Sequence, residues 1–169
     1  MLWHMSVHAH RRHGVEHVGC GVITVSDTRT TETDTSGAKI RELLQSHGHR
    51  VECYQILRDE PELIAAAIRT APAAAEVVIL NGGTGVARRD TTYEAVTRLL
   101  DKEITGFGEL FRMLSYEQIG AAAMLSRATA GVAGNHVIFS LPGSTAAVEL
   151  AMTKLILPEL GHVVGLVRG

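Results

Sequence analysis

Short apolar runs alternate with stretches of helical periodicity along most of the chain. The first apolar run predicts a strand within residues 17–26. A polar loop over residues 27–35 follows, and a stripe at helical spacing then ends before Gly48, a residue that commonly terminates helices. The stripe consists of Ile40, Leu43, Leu44 and His47. The chain therefore begins with a strand, a loop and a helix.

The same alternation continues. Residues 51–56 predict a second strand, and Pro61 opens an amphipathic helix. Its apolar face carries Leu63, Ile64, Ala67 and Ile68. Residues 77–80 are continuously apolar, which is typical of a strand covered on both faces.

The second half is less regular. A helix carrying Ala95, Val96, Leu99 and Leu100 is expected first. Residues 104–133 predict one helix near 109–114, residues 137–141 predict a strand, and Ser144 starts a last helix toward Leu157. Such alternation predicts a three-layer α/β sandwich with a mainly parallel sheet.

Length and composition indicate one domain. The 169 residues, 46% of them hydrophobic, supply one core, and no linker or repeat interrupts residues 17–169. Residues 1–16 are polar and unpatterned, which predicts a flexible His-rich tail. A metal site is the alternative for its histidines, which are His4, His8, His10 and His13, with His17 just beyond.

Charge and composition exclude several partner classes. The chain has 16 Lys and Arg against 18 Asp and Glu, so it lacks a global positive field for nucleic acid or an anionic membrane. Cys20 and Cys53 have no metal-like spacing and are expected to pack as small apolar residues. No signal peptide and no stretch long enough to cross a bilayer are evident, which predicts a cytoplasmic protein.

Three loops follow predicted strands, where parallel sheets collect ligands. The first, residues 23–37, contains Ser26, Asp27 and Asp34, and the third is LPGST at residues 141–145. The second is NGGTGVARRD, residues 81–90, whose glycines let the backbone approach phosphate oxygens. Neither the P-loop nor the dinucleotide motif is present, so these residues alone predict an anion-binding α/β domain. A plain turn is the alternative, and it is favoured for LPGST taken alone.

Two carboxylates accompany these loops. Thr91 and Glu94 have the spacing of a capping box, which would leave Asp90 free to face the glycines and slightly favours a functional role for it. Asp59 precedes Pro61 and suits an ordinary helix N-cap, which favours a structural role.

The motifs together resemble the MoaB/MogA family of molybdenum cofactor biosynthesis, most closely MoaB. SDTRTTETDTSG, NGGTGVARRDTTYEAV, GFGELFRMLSYEQIGAAAMLSRATAGV and LPGST occur in that family's order over about residues 18–160. The resemblance implies the three-layer fold, molybdopterin as ligand, homotrimers or hexamers, and contact with other proteins of the pathway.

The resemblance also implies roles for residues. It assigns the pterin phosphate to a loop of Gly82, Gly83, Thr84 and Gly85. It assigns supporting substrate contacts to Ser26, Asp27, Asp34, Arg89, Ser115, Pro142, Gly143 and Ser144. In MogA-like members the aspartates matching Asp59 and Asp90 are associated with AMP transfer from ATP to molybdopterin. Arg58 stands where the family often has Pro, a departure beside Asp59.

The chemistry fits such a transfer. The terminal phosphate of molybdopterin is already an anion, so the reaction needs charge neutralisation more than a base, and Asp59 and Asp90 are expected to hold Mg²⁺. Arg89 either adds a cation there or, like Arg88, is a solvated charge. Because Asp90 is retained, an adenylyltransferase is expected. The alternatives are a non-catalytic molybdopterin-binding protein and a generic nucleotide-binding domain.

One apolar segment stands outside the strand-helix alternation, at residues 104–124. Its large side chains are Phe107, Leu110, Phe111, Met113, Leu114, Tyr116 and Ile119. Part of it is expected to lie at a subunit contact, with burial in the chain's own core as the alternative.

Overall fold

The computed structural model describes residues 14–169, which form a six-stranded sheet in the order β2-β1-β3-β6-β5-β4. The strands are β1 Gly19–Val25, β2 Arg50–Leu57, β3 Val77–Asn81, β4 Lys102–Glu103, β5 Thr129–Ala133 and β6 His136–Leu141. Four neighbouring strands, β2, β1, β3 and β6, are parallel, whereas β5 runs antiparallel to β6 and β4 antiparallel to β5. The expectation of a mainly parallel sheet is confirmed.

Helices cover both faces of the sheet. They are α1 Thr35–Ser46, α2 Pro61–Arg69, α3 Thr92–Thr97, α4 Thr105–Ile119, α5 Thr145–Ala151 and α6 Leu157–Arg168. A 3₁₀ segment, Gly120–Leu125, follows α4, and a π-helical segment, Met152–Ile156, joins α5 to α6. Ile40 and Phe111 pack on one side of the sheet, and Ile64 and Val96 pack on the other. The three-layer sandwich is therefore confirmed.

Strand β3 shows why a continuous apolar run marks the centre of such a sheet. All five of its residues are buried, with Val77 and Ile79 in one core and Val78 and Leu80 in the other. Because successive strand side chains point to opposite faces, a strand covered on both sides loses its polar alternation. Its last residue, Asn81, is the polar exception at the carboxyl edge.

The region after α3 departs from expectation. Helix α4 is longer than residues 109–114 because its buried side chains, Phe107, Phe111 and Ser115, repeat every four residues. Strand β5 escaped prediction because its sequence, TAGVA, consists of small residues. A Cβ on Gly131 would lie 2.4 Å from the backbone oxygen of Lys102, so the smallest residue allows β4 to approach. Helix α3 ends at Thr97, before Leu99 and Leu100.

The last helical run corrects two expectations. It extends to Arg168 instead of ending near Leu157. Its mean hydropathy reaches 1.4, so by length and composition Thr145–Arg168 could cross a bilayer. The prediction that no such stretch exists was wrong. One face of the run is buried in the core through Val148, Met152, Ile156, Leu160 and Val164. Length and hydropathy alone do not separate a core helix from a membrane span.

The N-terminal residues with His4, His8, His10 and His13 lie outside the described part, so the flexible tail stays a prediction. Val15 departs from that prediction, which placed it in the tail at residues 1–16: its backbone N–H donates to the oxygen of Gly161 in α6 at 3.0 Å, and it packs against the core. Cys20 and Cys53 are both free thiols, and burial raises the pKa of Cys20 to about 12. Both observations agree with packing roles for the two cysteines.

Candidate functional site at the carboxyl edge of the sheet

Three loops meet where β1, β3 and β6 end, and Gly82 lies at their junction. Its N–H donates to Leu141 O at 2.9 Å, and its φ is +105°. A Cβ at this position would come within 2.1 Å of Val25 O, and a Cβ on Gly143 would lie 3.2 Å from the Cα of Gly82. Only glycine accommodates both this dihedral angle and this crowding. The loops from the three parallel strands thus form one surface.

A buried carboxylate organises the first loop. Asp34 accepts hydrogen bonds from Thr24 Oγ1 at 2.5 Å, Tyr54 OH at 2.7 Å and the N–H of Gly37 at 3.0 Å, and so caps α1. Burial raises the pKa of Asp34, but these hydrogen bonds and one from Ser36 outweigh it and leave the pKa below its usual value. Asp34 is therefore a structural anion.

Arg29 and Asn81 connect that carboxylate to the neighbouring loops. Arg29 Nη1 contacts Asp34 at 3.4 Å and Ser36 Oγ, and its Nη2 donates to Gly143 O at 2.8 Å. Asn81 donates to Thr24 Oγ1 at 2.9 Å and accepts from Ser36 Oγ at 2.7 Å. We call this set, Thr24, Arg29, Asp34, Ser36, Tyr54 and Asn81, the Asp34 network. Arg29 and Asn81 had no assigned role, although an Asn ending an apolar strand signals a buried polar partner.

The loop after β3, residues 82–91, is the glycine loop, and it contrasts with the Asp34 network. Within the part of the chain described, the backbone N–H groups of Gly83, Thr84, Gly85 and Val86 donate to no protein atom. Gly83 has φ +66°, and a Cβ there would lie 2.2 Å from both Asp59 Oδ2 and Thr92 Oγ1. Consecutive unpaired N–H groups are the usual donors to bound anions.

The carbonyl groups of the glycine loop are held by Arg127, which precedes β5. Its Nε donates to Gly85 O at 2.9 Å and contacts Thr84 O at 3.4 Å, and its Nη2 donates to Asp90 O at 3.0 Å. Its Nη1 pairs with Glu94. Sequence reasoning missed Arg127 because it is 37 residues from Asp90 and no local pattern marks it.

Asp59 supports the glycine loop from the end of β2. It does not cap α2, whose N-cap is Glu60 without a side-chain hydrogen bond. Instead Asp59 Oδ1 accepts from the N–H of Thr91 at 3.1 Å and from Thr91 Oγ1 at 2.7 Å. Burial raises the pKa of Asp59, nearby Asp90 and Asp27 raise it further, and the Thr91 hydrogen bonds only partly oppose them.

The expected capping box does not form. Thr91 is the N-cap of α3 but makes no side-chain cap hydrogen bond, because its hydroxyl donates to Asp59 and Glu94 is drawn to Arg127. Asp90 nevertheless faces the glycine loop. Its Oδ2 accepts from the N–H of Ala87 at 2.9 Å and would lie 2.5 Å from a Cβ on Gly85.

An exposed ion pair joins the first loop to the glycine loop. Arg89 Nη2 lies 2.7 Å from Asp27 Oδ2, and Asp27 Oδ1 accepts from the N–H of Asp59 at 3.3 Å. The hydrogen bond from Arg89 lowers the pKa of Asp27. Ser26 Oγ accepts from the backbone N–H of Arg29 at 3.2 Å, which makes it a turn residue.

Of the remaining predicted site residues, one lies elsewhere. Ser144 caps α5 by accepting from the N–H of Ala147 at 3.2 Å, and Pro142 and Gly143 precede it at the loop junction. Ser115 is buried on α4, where its hydroxyl donates to Phe111 O at 2.8 Å. The structure therefore groups all the predicted residues except Ser115 at one edge of the sheet.

The carboxylates suit a metal shared with a phosphate ligand better than a closed metal cage. Across residues 14–169 no three His, Cys, Asp or Glu side chains converge at ligand spacing. Asp59 Oδ2 and Asp90 Oδ1 each accept no hydrogen bond from the described residues. Mg²⁺ is usually held by one or two carboxylates together with phosphates and water, so this donor set fits it.

Fold and site together define an α/β protein with backbone N–H donors and carboxylates gathered at the carboxyl edge of its sheet. The sequence profile of the probable molybdopterin binding domain family matches residues 21–162. Molybdenum cofactor biosynthesis protein B from Halalkalibacterium halodurans is 57% identical over 162 residues, covering 94% of this chain and 95% of that protein. The chain belongs to this family, as its motifs indicated.

Solved structures agree and confirm the closer resemblance to MoaB. A crystal structure of a molybdenum cofactor biosynthesis protein B superposes with a TM-score of 0.87 at 54% identity, covering 90% of this chain and 96% of that one. A MogA structure superposes with a TM-score of 0.79 at 30% identity, covering 88% and 99%.

Proposed function

We propose that this protein binds molybdopterin at the carboxyl edge of the sheet, with the terminal phosphate on the glycine loop, and transfers AMP to it from ATP. An oxygen of that phosphate bonds to the α-phosphorus of ATP, the bond between the α- and β-phosphates breaks, and pyrophosphate leaves. One arrangement carries the proposal. Four consecutive N–H groups, at residues 83–86, donate to no atom of the described residues, and Asp59 and Asp90 beside them each have one carboxylate oxygen that accepts no hydrogen bond. These donors suit a phosphate, and the free carboxylate oxygens suit its counter-cation.

The chain's residues would bind and orient the reactants more than move protons. A phosphate nucleophile is already deprotonated, so the N–H groups of the glycine loop would hold it and Arg89 would add positive charge at the rim. Asp59 and Asp90 would hold Mg²⁺, which supplies charge neutralisation between the phosphates of the two substrates. The Asp34 network would keep the neighbouring loops rigid around the pterin.

A non-catalytic molybdopterin-binding role is the second candidate, favoured by the environment of Asp59. Its Oδ1 already accepts two hydrogen bonds from Thr91, and burial raises the pKa of the carboxyl group. Both observations suit a structural carboxylate. Binding would then depend on the N–H groups of the glycine loop alone.

Mass analysis after incubation with molybdopterin, ATP and Mg²⁺ separates the two candidates. We expect adenylylated molybdopterin from the wild type and at least about a hundredfold less from Asp90→Asn, because a carboxylate that neutralises transferring phosphates is worth a few kcal/mol. Asn keeps an oxygen to accept from Ala87, so the melting temperature and the affinity for molybdopterin should change little. A wild type that binds molybdopterin without forming product would establish the second candidate.

We further propose a cytoplasmic homo-oligomer, a trimer or a hexamer. Phe107 and Phe111 are buried in the chain's own core, but an apolar surface remains on α4 and the 3₁₀ segment. These exposed side chains, the α4 patch, are Leu110, Met113, Tyr116, Ile119, Met124 and Leu125, and a concentration of exposed apolar groups often marks an association surface. Free thiols at Cys20 and Cys53 agree with a reducing compartment.

Light scattering at micromolar concentration should therefore give at least three chains for the wild type. Met113→Glu places a charge in the α4 patch and should reduce that mass. Leu166→Glu is the matched control, because Leu166 is at least as exposed, 65% against 55% for Met113, but lies on α6. A wild type that is active as a monomer would contradict the assembly, and equal effects of the two variants would contradict the assignment of the interface.

A further inference from the structure

The guanidinium of Arg127 contacts the glycine loop on the side opposite the unpaired N–H groups. Arg127 contacts the carbonyl oxygens of Thr84, Gly85 and Asp90, and its own backbone N–H also donates to Thr84 O, at 3.2 Å. The guanidinium is itself fixed, since it pairs with Glu94 and lies 5.0 Å from the centre of the Tyr93 ring. Its five N–H donors in a planar fork suit several carbonyl groups at once.

The direction of those carbonyl groups determines where the donors point. In a trans peptide the C=O and the following N–H point in opposite directions. When the oxygens of Thr84 and Gly85 face Arg127, the N–H groups of Gly85 and Val86 must face away from it. Two successive N–H groups on one side form a concavity that binds anions.

We propose that Arg127 is a positioning residue that presets the phosphate-binding face of the glycine loop, without itself binding the ligand. The inference rests on the proposed binding of the pterin phosphate at this loop. Glycines at 83 and 85 make the loop adaptable, so an unheld loop would sample many peptide orientations and lose affinity when it orders around a phosphate. Because Arg127 already holds the loop in the free protein, little affinity is lost to ordering the loop when the phosphate binds.

Four proteins test the inference: the wild type, Arg127→Met, Arg127→Lys and Arg98→Met. Arg98 is an exposed arginine at the end of α3 whose side chain makes no hydrogen bond to the glycine loop, so its loss removes the same charge from the same face. Each protein is titrated with molybdopterin and with dephosphorylated molybdopterin. Backbone ¹⁵N order parameters of Gly85 and Val86 are measured by NMR relaxation without ligand.

Arg127→Met should bind molybdopterin at least about tenfold more weakly, because a disordered loop must be reordered, and should change the affinity for the dephosphorylated pterin by less than about twofold. Arg98→Met should match the wild type with both ligands. Backbone ¹⁵N order parameters at Gly85 and Val86 should fall only in the Arg127 variants. Arg127→Lys keeps the positive charge but loses the planar, five-donor geometry of the guanidinium, so it should behave like Arg127→Met.

Each contrary result has a separate meaning. A wild type that binds both pterins equally removes the proposed phosphate site, whatever Arg127 does. A wild type that prefers the phosphorylated pterin, with that preference and the order parameters of Gly85 and Val86 unchanged in Arg127→Lys, overturns the role of Arg127. Equal losses in Arg127→Met and Arg98→Met show that charge alone acts, and this also overturns it. If Arg127→Met does not fold, Arg127→Lys decides between these outcomes.

Discussion

The Asp34 network and the glycine loop lie side by side at one edge of the sheet, yet they treat their polar groups in opposite ways. Asp34 is 1% exposed and receives hydrogen bonds from three elements, and Arg29 and Asn81 connect it to the next loops. Among the described residues, the glycine loop leaves six N–H groups without an acceptor, four of them consecutive at residues 83–86, and Asp59 and Asp90 beside them each keep one carboxylate oxygen that accepts no hydrogen bond. A satisfied buried network specifies structure, whereas unpaired donors at a surface remain available to a ligand. The comparison indicates a structural role for the first region and leaves the second as the proposed binding surface.

The largest expected effect follows from removing the centre of the Asp34 network. Asp34→Ala should lower the free energy of unfolding by about 3 kcal/mol, since it removes a helix cap and leaves buried hydroxyls without an acceptor. Urea denaturation measures this loss. Glu32→Ala, at an exposed position in the same loop, should cost less than about 0.5 kcal/mol. A similar small cost for Asp34→Ala would mean that the network does not stabilise the fold.

A smaller loss is expected in the glycine loop, at Gly83. Gly83→Ala should cost about 2 kcal/mol, because it combines a positive φ with a Cβ 2.2 Å from Asp59 and Thr92. Gly134→Ala is the matched control: its φ is +57° and nothing lies within 4 Å, so it should cost about 1 kcal/mol. The difference in melting temperature between the two variants measures the destabilisation that the crowding at Gly83 adds to the cost of a positive φ. Equal losses would show that Gly83 is required only for its dihedral angle.

This crowding revises how the glycines are interpreted. From the sequence, Gly83 needed to be small so that a phosphate could approach, but in the structure its lack of a side chain first makes room for Asp59 and Thr92. Loss of ligand affinity in a Gly83 variant therefore does not by itself demonstrate a phosphate contact. The backbone N–H groups, tested through Arg127, provide the more specific evidence.

The sequence predicted what local patterns encode. Strand β3, the parallel order and the clustering of the three loops follow from periodicity and from the geometry of parallel sheets. The capping box at Thr91 failed because tertiary partners, Asp59 and Arg127, compete for the same side chains. Arg127 was missed because its partner Asp90 is 37 residues away, and Arg29 because the contact that joins it to a neighbouring loop is with Gly143, 114 residues away. Long-range side-chain hydrogen bonds leave no periodic trace in a sequence.

The smallest expected effect, a pH dependence, compares the two regions through Asp34 and Asp59. The pKa of Asp34 is lowered in the folded protein, so the stability that it contributes is present above the ordinary aspartate pKa of about 3.9 and is lost as pH falls through the lowered value. The pKa of Asp59 is raised by burial, so its contribution has the opposite sign: it is fully present below about pH 3.9 and is lost as pH rises through the raised value. Denaturation from pH 3 to pH 6 should therefore show that the stability difference between wild type and Asp34→Asn grows with pH, while that between wild type and Asp59→Asn shrinks. Two differences that change in the same direction would show that the electrostatic contrast between the Asp34 network and the glycine loop is absent.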